Sequence, residues 1–218
     1  MITAEPADTG HAVYSPAVLR TYDWLVHRIS NHLLWRCPTS ELRGLYDRNV
    51  SDAHVDIGVA TGYFLHKANW PVTRPSITLI DLNQNCLDAA SRRIRRYAPQ
   101  AVLADVLKPF PTLGPFRSAG LCYLLHCVPG TIAEKAVAFD HLKPLLASGA
   151  TVFGATILQG GAKRSKAAQA VMDVYNRKGI FSNARDTLED LESALHRRFR
   201  NVKVTARGTV ALFEAKAG

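Results

Sequence analysis

Apolar residues recur along this chain with two different periods. After Ser15-Pro16, the positions Val18, Tyr22, Leu25, Ile29 and Leu33 fall at three- and four-residue steps. That spacing makes one face of a helix, with a hydroxyl to cap its free amides and proline at its first position. Pro38 ends this stripe, and a shorter helical piece is predicted around Glu41 to Tyr46. From His54 onward, short densely apolar runs alternate with helical spacing. Strands are predicted at 54–58, 76–81, 100–104, 118–125, 149–157, 200–206 and 209–215, with helices between the first six. Such alternation signals a mostly parallel sheet. Only Arg207-Gly208 separates the last two strands, too short a link for a crossover, so they form an antiparallel hairpin. Thr131 with Glu134 forms a capping box after the fourth strand, and Thr187 with Asp190 a weaker version later.

Composition narrows this picture. A chain of 218 residues with 47% hydrophobic content can fill one core. The beginning, MITAEPADTGHAV, has no apolar run, and no later stretch approaches the roughly 18 apolar residues of a membrane span. The expectation is a cytoplasmic protein with no membrane partner. Cys37, Cys86, Cys122 and Cys127 show neither a CxxC pair nor a histidine at finger spacing, so reduced, mostly buried thiols are expected and no metal site.

The formal charge of +9 raises nucleic acid as a partner, because clustered cations recruit phosphates by releasing counterions. The densest run, Arg92, Arg93, Arg95 and Arg96, lies on a helix with apolar positions Leu87, Ala90, Ile94 and Tyr97. It reads as a solvated outer face. His196, Arg197, Arg198 and Arg200 close another helix, where cations suit the negative end of the dipole.

Candidate chemistry begins in HVDIGVATGYFL. Asp56 stands at the end of a strand, Gly58 and Gly62 frame a sharp turn, and a helix follows at once. Glycine permits positive φ and close approach of a ligand to the main chain, although such turns also occur for structural reasons alone. Asp81 ends the next strand, 23 residues beyond Gly58. An acid there points at the ribose of a nucleoside lying over the first turn; the alternative is a cap for the helix near Asn83. A dinucleotide site wants G-x-G-x-x-G, whereas three non-glycine residues separate Gly58 from Gly62 and Asp56 precedes them. A carboxylate there repels pyrophosphate but suits the cationic amino-acid end of S-adenosylmethionine.

At these residues the chain resembles the class I S-adenosylmethionine-dependent methyltransferases, small-molecule type, whose first motif is (D/E)-x-G-x-G-x-G. Here it reads Asp56-Ile-Gly58-Val-Ala60-Thr-Gly62, departing at Ala60. The resemblance extends over 53–215, through Asp81, Ala104-Asp105-Val106 and the LKPLLASGATVFG run. It implies an α/β, Rossmann-like, doubly wound, seven-stranded mixed sheet with an antiparallel last strand. It also implies an N-terminal helical cap (1–52) integrated with the cofactor-binding core (53–218) in a single domain.

By the same resemblance, Asp56, Gly58, Ala60 and Gly62 cradle the cofactor and Asp81 holds the ribose. Leu82 packs on adenine, Asp105 accepts from its amino group, and the Val106 amide donates to a ring nitrogen; a plain loop aspartate is the alternative for Asp105. Tyr123, a further cofactor-binding residue, and His126 stand at the carboxyl edge of the fourth strand, in a stretch similar to the LHHV or LHCLP of small-molecule members. The (N/D)-P-P-(Y/F) motif of members acting on nucleic-acid amino groups is absent, so nucleic acid is not the expected partner.

His126 is the candidate general base, or else holds its loop by hydrogen bonds. Tyr14, Tyr22, His126, Tyr175, Asn176 and Phe181 are candidates for the acceptor pocket, with Trp24 and His27 on the same N-terminal helix as Tyr22. The function implied is transfer of a methyl group to an O, N or C atom of a small aromatic or heterocyclic molecule in natural-product biosynthesis, by a monomer or homodimer. An RNA or protein methyltransferase, or a cofactor-binding protein without transfer activity, is the alternative.

Overall fold

The computed structural model describes residues 34–160 and 164–218. The helix predicted after Ser15, and with it Tyr14, Tyr22, Trp24 and His27, lies outside the described residues. The first described helix, α1 (Thr39–Asn49), buries Leu42, Leu45 and Tyr46, which share one face at three- and four-residue spacing. Although it precedes the core as the sequence divides it, α1 brings Tyr46 against Phe153 in the middle of the sheet.

There follow β1 (Ala53–Ile57), α2 (Tyr63–Lys67), β2 (Ser76–Asp81), α3 (Gln84–Arg93), β3 (Gln100–Leu103) and β4 (Phe116–Cys122). After β4 come α4 (Ile132–Lys135), α5 (Val137–Leu142), β5 (Leu146–Ile157), α6 (Lys166–Arg177), α7 (Leu188–His196), β6 (Arg200–Arg207) and β7 (Val210–Lys216). The strands form one sheet in the order β3-β2-β1-β4-β5-β7-β6. β1 to β5 pair in parallel, and β7 runs antiparallel between β5 and β6. The chain therefore winds outward from β1 in one direction through β2 and β3, then crosses back to β4. The crevice at that reversal, outside the carboxyl ends of β1 and β4, is where open α/β sheets hold ligands.

A hydrophobic layer covers each face. Leu42, Leu65, Leu87, Ala90 and Phe153 pack on one side, and Val55, Ile57, Leu121, Phe139 and Phe213 on the other. Because side chains alternate along a strand, Val55 and Ile57 face the second layer while His54 and Asp56 share the face toward α1.

Two expectations are corrected. No helix connects β3 to β4: residues 104–115 form a loop, in which Pro109, Pro111 and Pro115 lack amide donors and Gly114 takes φ +85°. β4 stops at Cys122 rather than residue 125, because Tyr123 turns to φ +60° and leaves strand geometry.

The capping box at Thr131 is present, its amide donating to Glu134 at 2.7 Å, and Thr187 Oγ1 accepts from the Asp190 amide at 3.1 Å. Arg92, Arg95 and Arg96 are exposed, whereas Arg93 is half-buried and donates to Thr61 Oγ1 at 3.0 Å. Cys37, Cys86 and Cys122 are buried thiols. Among the described residues no helix is long and apolar enough to cross a membrane, and no three His, Cys, Asp or Glu side chains gather where they could hold a metal.

Candidate active site

Between β1 and α2 the backbone goes left-handed three times in five residues, at Gly58 (φ +75°), Ala60 (+45°) and Gly62 (+69°). The Gly58 amide donates to Ile80 O at 2.9 Å, tying this turn to the end of β2. A Cβ at residue 58 would meet Leu124 at 2.9 Å, and one at residue 62 would meet Ala90 of α3 at 3.0 Å. Conformation and close packing both demand glycine at the two ends of the turn. Ala60 adopts the same left-handed region with a Cβ attached, which costs about 1–2 kcal/mol.

The turn floors a recess of about 390 Å³, part of it open to solvent, lined by Tyr46, Asp56, Ala60, Phe64, Cys122 and Tyr123 with the turn's glycines. Asp56 is 3% exposed. Its Oδ2 accepts from Tyr46 Oη at 2.8 Å and lies 3.3 Å from His54 Nε2. Burial pushes the neighbouring Cys122 thiol well up, so it presents a neutral apolar surface.

At the end of β2, Asp81 Oδ1 accepts from the Asn83 amide at 2.9 Å. The cap of α3 is Asn83 itself, whose side chain accepts from the Asn85 amide at 2.8 Å, so Asp81 is not spent on capping. Burial pushes the Asp81 carboxyl up to about 6, against the amides of Asn83, Ala60 and Val59, which favour its ionised form. The Ala104 amide donates to Asp81 O at 3.1 Å, holding the β3 loop beside it. Leu82 remains 45% exposed at this edge. Asp105 accepts from the Leu107 amide at 2.9 Å, and Val106 is buried, its carbonyl 3.0 Å from His141 Nδ1.

A second group gathers beyond Tyr123. The His126 ring is 5.6 Å from that of Tyr123 and 4.5 Å edge-to-face from Phe181, which also touches Tyr175 at 5.0 Å and Trp35 at 6.0 Å. His126 is 4% exposed, and burial, helped by the nearby Lys135, pushes its imidazole down to about 3. Nδ1 accepts from the Ile157 amide at 3.4 Å, which leaves the ring proton on Nε2. Asn176 is bound on both sides of its amide to Asn183, at 2.9 and 3.1 Å.

The structure thus brings Asp56, Gly58, Ala60, Gly62 and Tyr123 into one recess and sets Asp81, Leu82, Asp105 and Val106 along the adjoining strand ends. It gathers His126, Tyr175 and Phe181 into a separate aromatic cluster that meets the recess at Tyr123. Sequence reasoning missed Tyr46, His54, Phe64 and Trp35. A signal existed for His54, since residues i and i+2 of a strand share a face and Asp56 was already singled out. Tyr46 looked like any apolar position of an amphipathic helix.

No protein-family model matches the chain. It is 40% identical over 207 residues to demethylluteothin O-methyltransferase of Streptomyces thioluteus, covering 94% of this chain and 90% of that one. It is 38% identical over 213 residues to the physcion biosynthesis cluster O-methyltransferase of Aspergillus chevalieri, covering 96% of each. In fold it is similar to DhpI solved with S-adenosylhomocysteine, with TM-score 0.68 and 12% identity over 99% of this chain and 98% of that one. It is also similar to the N-methyltransferase NodS of Bradyrhizobium japonicum, with TM-score 0.59 and 17% identity over 82% and 84%. The chain belongs to the class I S-adenosylmethionine-dependent methyltransferases that act on small molecules. It is an enzyme, and S-adenosylmethionine is its cofactor.

Proposed function

We propose that the enzyme methylates a hydroxyl group on a small aromatic or heterocyclic natural product, with the recess holding the cofactor and the aromatic cluster bounding the acceptor side. The observation that carries this reading is the junction at Tyr123, where a polar cradle with an acidic floor meets a wall of Tyr123, His126, Phe181 and Tyr175. The naming of the two curated relatives as O-methyltransferases supports oxygen as the acceptor atom.

The residues present fit the cofactor. Asp56 faces its amino-acid end across the left-handed turn, Asp81 accepts from the ribose hydroxyls, Leu82 covers the adenine, and Asp105 with the Val106 amide reads the purine edge. When bound, S-adenosylmethionine supplies a methyl group already activated on a sulfonium. The chain's part is to align the acceptor oxygen with that methyl and keep water away. The backbone around Gly58, Ala60 and Gly62 sets the position, and the rings around Tyr123 exclude solvent.

His126 serves this arrangement by holding its loop rather than by taking a proton. An imidazole pushed down to about 3, with Nδ1 already accepting from Ile157, has little driving force as a base. A phenolic or enolic acceptor gives its proton to bulk water before it enters the recess, so no side chain has to take one at the moment of transfer. His126→Asn, which keeps a short acceptor but no base, should retain turnover within about tenfold; a fall of 10³ or more at unchanged cofactor affinity would return His126 to the role of base. For the reaction itself, phenolic and enolic acceptors and matched aromatic amines should be compared by S-adenosylhomocysteine release and product mass. Transfer to amines alone would overturn the O-methylation reading.

A further inference from the structure

A continuous set of hydrogen-bonding side chains runs beneath the cofactor turn. It starts at Ser51, whose amide donates to Ser118 Oγ at 2.9 Å and whose hydroxyl lies 2.8 Å from the same atom. Ser118 Oγ lies 2.8 Å from His54 Nδ1, His54 Nε2 lies 3.3 Å from Asp56 Oδ2, and Tyr46 Oη donates to that same oxygen at 2.8 Å. His54, Asp56 and Ser118 are all buried, and Tyr46 is 2% exposed. The rings that carry the donors are themselves fixed. Tyr46 stacks on Phe64 at 5.2 Å and meets Phe153 edge-on at 5.1 Å, while His54 lies between Trp70 and Phe153 at 5.5 and 5.8 Å. Gly120 of β4 makes room, since a Cβ there would lie 2.5 Å from Asp56 Oδ2.

We infer that Tyr46 and His54 are positioning residues that lock one oxygen of Asp56 so that the other, Oδ1, is presented to the α-ammonium of the cofactor. The contacts converge on one oxygen: Tyr46 Oη donates to Asp56 Oδ2 at 2.8 Å and His54 Nε2 lies 3.3 Å from the same atom, so that oxygen is held from two sides. A lysine or arginine in either place would bring a fixed charge that competes with the cofactor's own cation. A buried carboxylate restricted to one rotamer is also preorganised, so cofactor binding does not have to order it. The inference rests on the placement of the cofactor's amino-acid end over Asp56 and adds the two residues that set its geometry.

The test compares two ligands that differ at that end. S-adenosylhomocysteine carries the α-amino and carboxylate groups; 5′-methylthioadenosine has the same adenosine thioether without them. Both are titrated by calorimetry into wild type, Tyr46→Phe, His54→Leu and His54→Gln, each checked by circular dichroism and its melting temperature without ligand. Tyr46→Phe keeps the ring packing and should raise the dissociation constant for S-adenosylhomocysteine about tenfold, with that for 5′-methylthioadenosine unchanged within about twofold. His54→Leu should do the same, and His54→Gln, which can again place a donor near Oδ2, should recover most of the affinity. Turnover at saturating cofactor should stay near wild type while KM for the cofactor rises.

Equal weakening of both ligands, or weakening of neither, in Tyr46→Phe would overturn the inference. If His54→Leu does not fold, the Tyr46→Phe result decides alone. Should wild type bind both ligands equally well, the placement of Asp56 under the amino-acid end fails, and that outcome is distinct from a failure of the two positioning roles.

Discussion

Two buried aspartates stand near the carboxyl edge of the sheet in opposite circumstances. Asp56 lines the recess and is held by hydrogen bonds from Tyr46 and His54. Asp186 is wholly enclosed and meets the ammonium of Lys135, also wholly enclosed, at 2.5 Å. Burial pushes the Asp186 carboxyl up and the Lys135 ammonium down, and each charge restrains the other's shift. Lys135 also donates to Ser182 O at 2.6 Å, the Ser182 amide donates to His126 O at 2.8 Å, and Asp186 O accepts from the amides of Gln159 and Gly160. This pair therefore joins the loops that follow β4 and β5 to the segment carrying Phe181. The Asp186 carboxylate is committed to a cation inside the fold, whereas Asp56 is held by Tyr46 and His54 at the edge of a recess.

The largest expected effect comes from breaking the closed pair. Lys135→Met leaves Asp186 buried without its cation and should cost about 3–5 kcal/mol in urea unfolding. Lys135→Met combined with Asp186→Leu should recover most of that loss, because no lone charge remains. Asp56→Asn should behave oppositely, leaving stability equal or higher while weakening S-adenosylhomocysteine. A destabilisation by Asp56→Asn comparable to that of Lys135→Met would erase the distinction.

Next in size is Asp81→Ala. Loss of a charged acceptor for two ribose hydroxyls should cost about 1.5–3 kcal/mol, a tenfold to hundredfold rise in dissociation constant, with circular dichroism unchanged. Unaltered affinity would remove Asp81 from the site.

The pH dependence of cofactor binding sharpens the same point. If Asp81 holds the ribose as proposed, its carboxyl, pushed up to about 6 in the free protein, has to be ionised to accept from both hydroxyls. Affinity for S-adenosylhomocysteine should therefore approach its full value about one unit above pH 6 and fall up to about tenfold per pH unit well below it. Asp81→Asn should flatten the profile between pH 5 and 7; a slope that persists would have to come from another group.

The smallest effect concerns Ala60. Glycine at this left-handed position relieves about 1–2 kcal/mol of strain but adds backbone freedom to the unfolded chain, so Ala60→Gly should stabilise by about 0.5–1 kcal/mol. A melting temperature that falls would mean that the alanine methyl makes contacts worth more than the strain.

Much of this fold is legible in the sequence. The strand runs, the hairpin at Arg207-Gly208 and the capping boxes are local features, in which a few adjacent residues determine the outcome, and each appears in the structure. The loop from residue 104 to 115 looks helical in the sequence because scattered apolar residues imitate a helical stripe, while its prolines remove the amides a helix needs. The amide of Asn176, a candidate pocket residue by sequence, is bonded on both sides to Asn183, a pairing that its neighbours along the chain do not foretell.

What the sequence determined by itself was the order of the strands, the glycine turn after β1 with its acid, and the second acid at the end of β2. These depend on the spacing of residues close together in the chain, which carries the same geometric meaning wherever the segment folds. Tertiary structure alone decided which partners those groups would meet. It brought Tyr46 from a helix before the sheet under Asp56, set Gly120 where a larger residue would have displaced that carboxylate, and joined Lys135 to Asp186 across 51 positions of chain. Such pairings follow from the packing of whole layers against one another, and the charge that a buried group keeps depends on the neighbour that packing delivers.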